Sequence, residues 1–310
     1  MALTVSQIVA VSYPAVLARK RRPANQWSES ALLKKLEKIG AIEHKSLGSQ
    51  IEVGLDYRRN PGTAFLATDL QATSLTKTEV VTGAVYDIAE VSVPVVWSKK
   101  DEVMNPSENQ KYSLAATRME NGIDSHDDIV EQSLFATSTQ GFLGLLTHIP
   151  TSGQGSDGGI DSAVETFWRC QSATYVDDTD IEAAFNTVWN ACAKGSGSEL
   201  QPGLLISDGA TQAIFEGTQT GLQRYENTQD IKAGAKTLMY KTASYCFSQY
   251  GTSSVYFLNA KNFKLVVSKE YFRDKGETQE LQNANGFVFK IYSAMQTVVD
   301  NRSRLGVVHI

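Results

Sequence analysis

The sequence predicts an α+β fold, in which helices and strands are mixed without a regular strand–helix–strand alternation. Three observations predict it. Apolar residues recur at helical spacing in residues 31–39, 106–135 and 180–194. Short apolar segments typical of strands lie before, between and after these stretches. No repeated unit of a parallel doubly wound sheet connects them.

Composition indicates a folded protein and limits its partners. The 310 residues are 42% hydrophobic and 20% charged, which excludes disorder for most of the chain. The net charge of −5 is the sum of +5 in residues 1–60 and −10 in residues 61–310. Opposite signs in two regions suit association between copies of the chain. A protein that mainly grips nucleic acid is usually basic over a whole domain.

The three cysteines, Cys170, Cys192 and Cys246, are widely separated and include no Cys-x-x-Cys pair. We therefore predict buried thiols in a reducing compartment, without a disulfide framework or a zinc site. No apolar run approaches the roughly 18 residues that span a bilayer. The first residues also lack the charge order of a secretory signal. The sequence thus predicts a cytosolic product without a membrane partner.

Residues 1–48 are predicted to form an arm that carries one short helix. Apolar residues at helical spacing indicate a helix over 31–39, and Gly40 provides its stop. The basic run Arg19, Lys20, Arg21 and Arg22 lies in a preceding stretch without periodicity. It could bind phosphates, but we favour contact with an acidic surface of a sister subunit, given the charge asymmetry.

Two predicted strands flank a polar excursion. Ile51, Val53 and Leu55 alternate, residues 57–62 supply turn chemistry, and residues 80–96 form a second β-rich stretch. An isolated two-stranded hairpin is marginally stable in water. We therefore expect a neighbouring subunit to support this hairpin.

The next elements are mainly helical. A long helix is predicted from Pro106 to Leu134, with a possible kink at Gly122. Further helices are predicted over 160–172 and 180–194. Asp178 or Thr179 would cap the start of the second of these, and Gly195 would end it. Two tryptophans, Trp168 and Trp189, have the spacing of core residues.

The remaining elements are mainly strands. Asp208 is predicted to cap a helix that follows a short buried strand. The strands are predicted over residues 204–207, 244–247, 255–258, 263–267, 287–291 and 305–310.

The glycine-rich loop Gly153–Gly158 matches the pattern Gly-x-Gly-x-x-Gly, which in the right context binds a dinucleotide. A nucleotide-binding enzyme is therefore the alternative function. Pro150 separates the loop from any strand, and Asp157 would place a negative charge beside the pyrophosphate. We favour a flexible connection in which Asp157 caps the next helix.

The densest acidic cluster lies in the long helix. Asp124 and Asp128 share a face and are candidate metal ligands, but a solvated helix surface explains the cluster more simply. His44, His148 and His309 belong to no sequence motif that indicates a catalytic site. No nucleophile motif, HExxH or phosphate loop occurs. We therefore predict no enzyme activity, no cofactor and no metal.

Several motifs occur in an informative order. They are Leu55-Asp56-Tyr57-Arg58-Arg59-Asn60, Gly144-Leu145-Leu146, Gly158-Gly159-Ile160-Asp161-Ser162-Ala163, Phe167-Trp168-Arg169, Val255-Tyr256-Phe257-Leu258-Asn259 and Asn301-Arg302-Ser303-Arg304. Over nearly the whole chain this order resembles the major capsid proteins of tailed bacteriophages, the Hong Kong ninety-seven fold.

The resemblance implies a division of the chain. Residues 1–48 would be the N-terminal arm and 49–81 an extended β-hairpin loop. Residues 82–146 and 241–310 would form a peripheral domain with a long spine helix, and 147–240 an axial domain.

The resemblance also implies a structural function. Copies would self-assemble into hexamers and pentamers of an icosahedral shell, in the host cytoplasm, around double-stranded DNA held without sequence-specific binding. A separate scaffolding protein and a portal would be further partners. The implied inter-subunit contacts are Arg19, Lys20, Arg21, Arg22, Tyr57, Arg58, Arg59 and Asn60.

Overall fold

A computed structural model describes residues 31–60, 62–63, 65, 77–104, 108–195, 197, 200–218, 238–282 and 284–310. Its α-helices are α1 (Ala31–Ile39), α2 (Lys99–Met104), α3 (Glu108–Leu134), α4 (Leu145–His148), α5 (Ile181–Cys192) and α6 (Gly209–Thr218). Short 3-10 helices span Thr166–Trp168, Asp178–Asp180 and Arg302–Arg304.

The strands are numbered in chain order. They are β1 (Ile42–Lys45), β2 (Gln50–Asp56), β3 (Val81–Asp87), β4 (Ala89–Ser98), β5 (Ser138–Thr139), β6 (Phe142–Leu143), β7 (Ser156–Asp157), β8 (Ile160–Asp161), β9 (Gln171–Thr174), β10 (Leu204–Ser207), β11 (Leu238–Tyr240), β12 (Ala243–Phe247), β13 (Val255–Leu258), β14 (Phe263–Ser268), β15 (Asp274–Lys275), β16 (Gln279–Glu280), β17 (Gly286–Val299) and β18 (Gly306–His309). The predicted α+β class is confirmed.

The first sheet is organised around the long strand β17. Its first ten residues pair antiparallel with β4, and its last five pair antiparallel with β14. Strand β1 adds parallel to β14, while β15 and β16 pair with β17. Helix α3 covers the β4–β17 part through a cluster that contains Trp97, Met119 and Phe289. A Cβ atom at Gly122 would lie 2.8 Å from Val95 Cγ2, so glycine allows helix and sheet to approach closely.

The second sheet has the order β11-β12-β10-β13-β18-β9. Its core is rich in aromatic rings because α5 and α6 pack there together. The rings of Phe185 and Phe215 stack at 4.8 Å between centroids, and Tyr240, Tyr245 and Phe257 lie around them. Such ring pairs contribute about 1 kcal/mol each beyond their buried area. This sheet therefore has a core of its own.

The stem of the predicted hairpin packs on its own chain. Strands β2 and β3 pair over seven residues and bury Ile51, Leu55, Ala84 and Tyr86 in the largest core cluster. The backbone N–H of Val85 also donates to the Gly158 carbonyl at 3.0 Å. The expectation that only a neighbouring subunit could support the hairpin is therefore wrong for the stem.

Helix α1 of the arm is also docked on its own chain. Leu32, Leu33 and Leu36 are buried, and Gly40 ends the helix with a positive φ of 77° as predicted. The Ala41 N–H donates to the Leu36 carbonyl at 2.9 Å. The buried leucines therefore hold this helix on the body of its own chain.

Most predicted strands and the helices near 31–39, 106–134 and 180–194 are confirmed. The helix expected over 160–172 is wrong, because this stretch forms a tight hairpin, a 3-10 turn and β9. The predictions for both ends of α5 are also wrong. Neither Asp178 nor Thr179 caps its start, and the helix ends at Cys192 and not at Gly195. Asp208 does cap α6, accepting from the Thr211 N–H at 2.9 Å.

All three cysteines are free and buried, as predicted. Trp168 and Trp189 lie in the core, with exposed fractions of 1% and 4%. Among the described residues, no helix combines the length and apolarity needed to cross a bilayer.

Candidate functional site

His148, Asp157, Thr297 and Arg302 form a buried polar centre. The side chains of His148, Asp157 and Arg302 have no exposed area. His148 Nδ1 lies 2.9 Å from Asp157 Oδ2, and its Nε2 lies 2.8 Å from Thr297 Oγ1. Arg302 Nε lies 3.6 Å from the same carboxylate oxygen.

Short elements hold these side chains in place. His148 is the last residue of α4. Asp157 is the last residue of β7, directly before the two-residue turn that connects β7 to β8. That turn requires glycine, because Gly158 and Gly159 have φ values of 58° and 79°. Trp168 Nε1 donates to the Asp157 carbonyl at 3.0 Å, and this buried hydrogen bond holds the hairpin in place.

Arg302 connects the closing segment of the chain to this hairpin. Its Nε donates to the His148 carbonyl at 2.8 Å and its Nη1 to the Gly155 carbonyl at 2.9 Å. Its Nη2 reaches the Thr147 carbonyl at 3.4 Å. A guanidinium that satisfies three carbonyls and a carboxylate is a structural clamp, since a buried charge is tolerated only when it is paired and hydrogen-bonded.

The order Asp157–His148–Thr297 has the geometry of a hydrolase triad, but its chemistry differs. The Thr297 hydroxyl donates its single proton to the Leu143 carbonyl. Nε2 must then be the donor to Thr297 Oγ1, so it cannot accept a proton from that hydroxyl. A nucleophile needs an unprotonated base beside it and access to substrate. Thr297 has neither, since it is fully buried.

Burial also suppresses the reactivity of nearby groups. Loss of hydration, together with the Asp157 charge, raises the pKa of the Tyr86 hydroxyl. Desolvation raises the pKa of the Cys170 thiol to about 11, although the charge of Arg302 acts in the opposite direction. Neither group is a candidate nucleophile at neutral pH.

The glycine-rich loop does not have the context of a dinucleotide site. It leads into the β7–β8 hairpin, where a nucleotide site requires a strand before it and an α-helix after it. The Gly155 carbonyl is occupied by Arg302 Nη1. The expectation that Asp157 caps a following helix is wrong, because its carboxylate is buried against His148.

The acidic cluster of α3 is partly internal, which corrects the view of it as a solvated surface. His126 and Glu131 have exposed fractions of 1% and 0%. Asp128 accepts a hydrogen bond from the Tyr250 hydroxyl at 2.8 Å. Within the described part of the chain, no group of three His, Cys, Asp or Glu side chains could hold a metal ion.

A salt-bridged pair fixes α3 to the first sheet. Arg273 Nη2 lies 2.5 Å from Asp127 Oδ1, which also faces His126 Nδ1 at 3.1 Å. Burial alone would raise the pKa of Asp127, but the hydrogen bond from His126 and the charge of Arg273 lower it below its usual value. This acid is therefore a structural group.

The predicted contact residues of the loop lie where β2 ends. The Tyr57 ring stacks on Phe167 at 4.8 Å between centroids, and the Arg58 guanidinium lies 5.5 Å from the Tyr57 ring centre. Arg58, Arg59 and Asn60 are exposed. Asn60 Oδ1 accepts from the Gly62 N–H at 2.9 Å and forms a turn. Their role between subunits stays a prediction.

The predicted basic contacts Arg19, Lys20, Arg21 and Arg22 lie outside the described residues. Sequence reasoning also missed the buried centre, because its members are separated by up to 154 positions. One signal was present: Asp157 follows His148 by nine residues, and Arg302 belongs to a motif already singled out.

Similarity to known proteins is found in structure and not in sequence. No family model matches the chain, and no curated protein matches it in sequence. A capsid protein of cyanophage A-1(L) is 12% identical, with a TM-score of 0.64 over 94% of this chain and 95% of that one.

Two further structures show the same fold. The capsid protein of Myoviridae phage XM1 is 10% identical, with a TM-score of 0.57 over 94% of this chain and 96% of that one. The SrpI encapsulin of Synechococcus elongatus is 10% identical, with a TM-score of 0.55 over 100% and 96%. The predicted phage major capsid fold is confirmed.

Proposed function

We propose that the chain is the major shell subunit of a tailed bacteriophage and that many copies assemble into an icosahedral capsid. The observation that carries the proposal is the agreement of fold with the cyanophage capsid protein over 94% of this chain and 95% of that one. Agreement over nearly all of both chains supports a shared role for the whole molecule, although fold alone does not fix function.

In this function the subunits form hexamers and pentamers, and each copy contributes a small contact area. Weak individual contacts suffice because closure of the shell makes binding multivalent. We further propose that residues 1–48 act as the arm, 49–81 as the extended loop, 82–146 with 241–310 as the peripheral domain, and 147–240 as the axial domain.

The proposed cargo is double-stranded DNA, enclosed without sequence-specific contacts. The net charge of −10 over residues 61–310 supports this, because strong phosphate binding would need a basic surface. A separate scaffolding protein and a portal are proposed partners, and the virion, assembled in the host cytoplasm, is the proposed location.

The proposed function is not enzymatic. The buried triad-like arrangement supports this, because the Thr297 hydroxyl already donates its proton to the Leu143 carbonyl and has no exposed surface. The glycine-rich loop also supports a non-enzymatic function, because its Gly155 carbonyl already accepts a hydrogen bond from Arg302 Nη1.

Electron microscopy of the purified protein, alone and co-expressed with a scaffolding protein, tests the proposal. Closed particles with five-fold vertices are the expected result, and nuclease-protected DNA is expected in particles from infected cells. A protein that stays monomeric at high concentration under both conditions would overturn the proposal.

The alternative of a nucleotide-binding enzyme has its own test. Calorimetry with NAD, NADP and ATP should show no micromolar binding. Binding that is abolished by Gly155→Val would favour the alternative, because the added side chain projects into the loop.

A further inference from the structure

An arginine surface forms where β2 ends, and ring contacts and hydrogen bonds position most of its side chains. It consists of Tyr57, Arg58, Arg59, Phe167 and Arg169. The Tyr57 N–H donates to the Val80 carbonyl at 3.0 Å, which extends the β2–β3 ladder by one residue. The ring then stacks on Phe167 and carries the Arg58 guanidinium at 5.5 Å. Stacked aromatic and arginine groups are enriched in protein interfaces.

Arg169 extends this surface. Its Nε donates to the Ser162 carbonyl at 2.9 Å and its Nη2 to the Ala163 carbonyl at 3.2 Å. Beside it, Val164 is 75% exposed. Neither Arg58 nor Arg59 forms an ion pair with any residue that the structure describes. The surface thus presents positive charge together with apolar area.

An acidic loop, Val176–Glu182, has the complementary character. Asp177, Asp178, Asp180 and Glu182 are exposed, and Val176 is 83% exposed. No Lys, Arg or His occurs between residues 170 and 193. None of these four acids forms an ion pair within the described part of the chain.

The acidic loop is also held in place by the backbone. The Tyr175 N–H donates to the His309 carbonyl at 3.0 Å, and the Asp180 N–H donates to the Asp177 carbonyl at 2.9 Å. Because the backbone that carries these carboxylates is already ordered, binding a partner costs less backbone conformational entropy.

Strand β9 separates the two surfaces. Phe167 and Arg169 precede it, and Val176 follows it, while the strand advances about 3.3 Å per residue. Because the two complementary patches lie at different places on the subunit, one copy can bind the next through unlike surfaces. They produce a head-to-tail contact, which closes into a ring when the rotation between subunits allows it.

We propose that the arginine surface of one subunit binds the acidic loop Val176–Glu182 of a second copy of the same chain. Arg58 and Arg59 pair with the carboxylates, and Val176 covers the apolar area around Tyr57. The proposal rests on the proposed shell function and specifies which two surfaces meet in it.

Charge exchange tests the contact directly. The first variant carries Arg58→Glu with Arg59→Glu, and the second carries Asp177→Lys with Asp178→Lys. Each should lower the yield of particles by about tenfold or more, because one weakened contact recurs throughout the shell. The chain with all four substitutions restores opposite charges and should recover most of the yield.

The control variant carries Asp274→Lys with Glu277→Lys. It makes the same charge change as the second variant, but at exposed acids outside the proposed contact, and it should assemble normally. Circular dichroism verifies that every variant folds. The proposal is wrong if the wild type assembles and either double variant gives the same yield of particles. It is also wrong if the variant with all four substitutions does not regain the yield. Failure of the wild type itself would instead count against the shell function.

Discussion

The backbone N–H of Leu32 donates a hydrogen bond to Glu131 Oε1 at 3.0 Å, across 99 positions of sequence. The Leu33 N–H donates to Oε2 of the same carboxylate at 3.0 Å, and the Ser248 hydroxyl donates to Oε1 at 2.8 Å. A side chain of α3 thus satisfies the first amides of α1, where a negative charge also complements the helix dipole. This buried carboxylate fixes the arm helix to the body.

The substitution Glu131→Gln should destabilise the protein by about 2 kcal/mol, because one amide donor of α1 then faces an NH₂ group instead of an oxygen. Denaturant unfolding of the soluble subunit measures the loss. Hydrogen exchange should also be faster at the first amides of α1. Gln132→Ala, at the exposed neighbour on α3, serves as the control and should change stability little. Equal stabilities would contradict the anchoring role.

The substitution Asp157→Asn should cost about 3 kcal/mol or more, because it leaves Arg302 as a buried cation without its counter-charge and removes the carboxylate beside His148. Thermal and denaturant unfolding report the effect. Glu165→Gln removes an exposed carboxylate eight residues away and should be nearly neutral. A stable Asp157→Asn variant would show that the centre does not need this charge.

The two glycines of the β7–β8 turn should respond differently to alanine. Gly159→Ala should cost about 1 kcal/mol, because the left-handed conformation is strained for any side chain but no atom lies within 4 Å. Gly158→Ala should cost about 3 kcal/mol, because its Cβ would also lie 2.7 Å from Ala84 Cβ. Parallel unfolding curves compare the two, and a reversed order would contradict the described packing.

The thiols should be protected in the folded protein. Burial raises the pKa of Cys170 to about 11 and that of Cys192 to about 12, from a usual value of 9.0. At pH 8 only about one Cys170 thiol in a thousand would be ionised. Labelling with a disulfide reagent should be slow at pH 8 in buffer and rapid for all three cysteines in guanidinium. Rapid labelling of the folded subunit would contradict their burial.

The same shifts predict a pH dependence with a definite sign. The folded thiols hold their protons to higher pH than the unfolded ones, so the unfolded chain binds fewer protons above about pH 9. Stability should therefore fall as the pH rises above that value. Cys170→Ala with Cys192→Ala should weaken this dependence, and an unchanged pH profile would contradict it.

Local signals predicted much of the fold, and long-range contacts explain what they missed. Gly40 and Asp208 were read correctly because their roles depend on residues within a few positions. The stretch 160–172 has helical spacing, but the hairpin forms instead because Asp157 and the Gly155 carbonyl bind partners from residues 148 and 302. Tertiary contacts there override local propensity.

The candidate site shows the same difference between local signals, which the sequence reveals, and long-range contacts, which it does not. The position of Tyr57 to Asn60 after a strand followed from alternation and turn chemistry. The stack of Tyr57 on Phe167 joins residues 110 positions apart, and no periodicity indicates it. The buried centre was missed for the same reason.

Strand β18 also has a consequence for biosynthesis. It lies between β13 and β9, pairing antiparallel with the first and parallel with the second. Until the ribosome has added residues 306–309, both of those strands therefore expose unpaired backbone edges to the cell. Nascent chains are then vulnerable to aggregation and to chaperone capture, and only a polypeptide extended through this strand can become a competent building block.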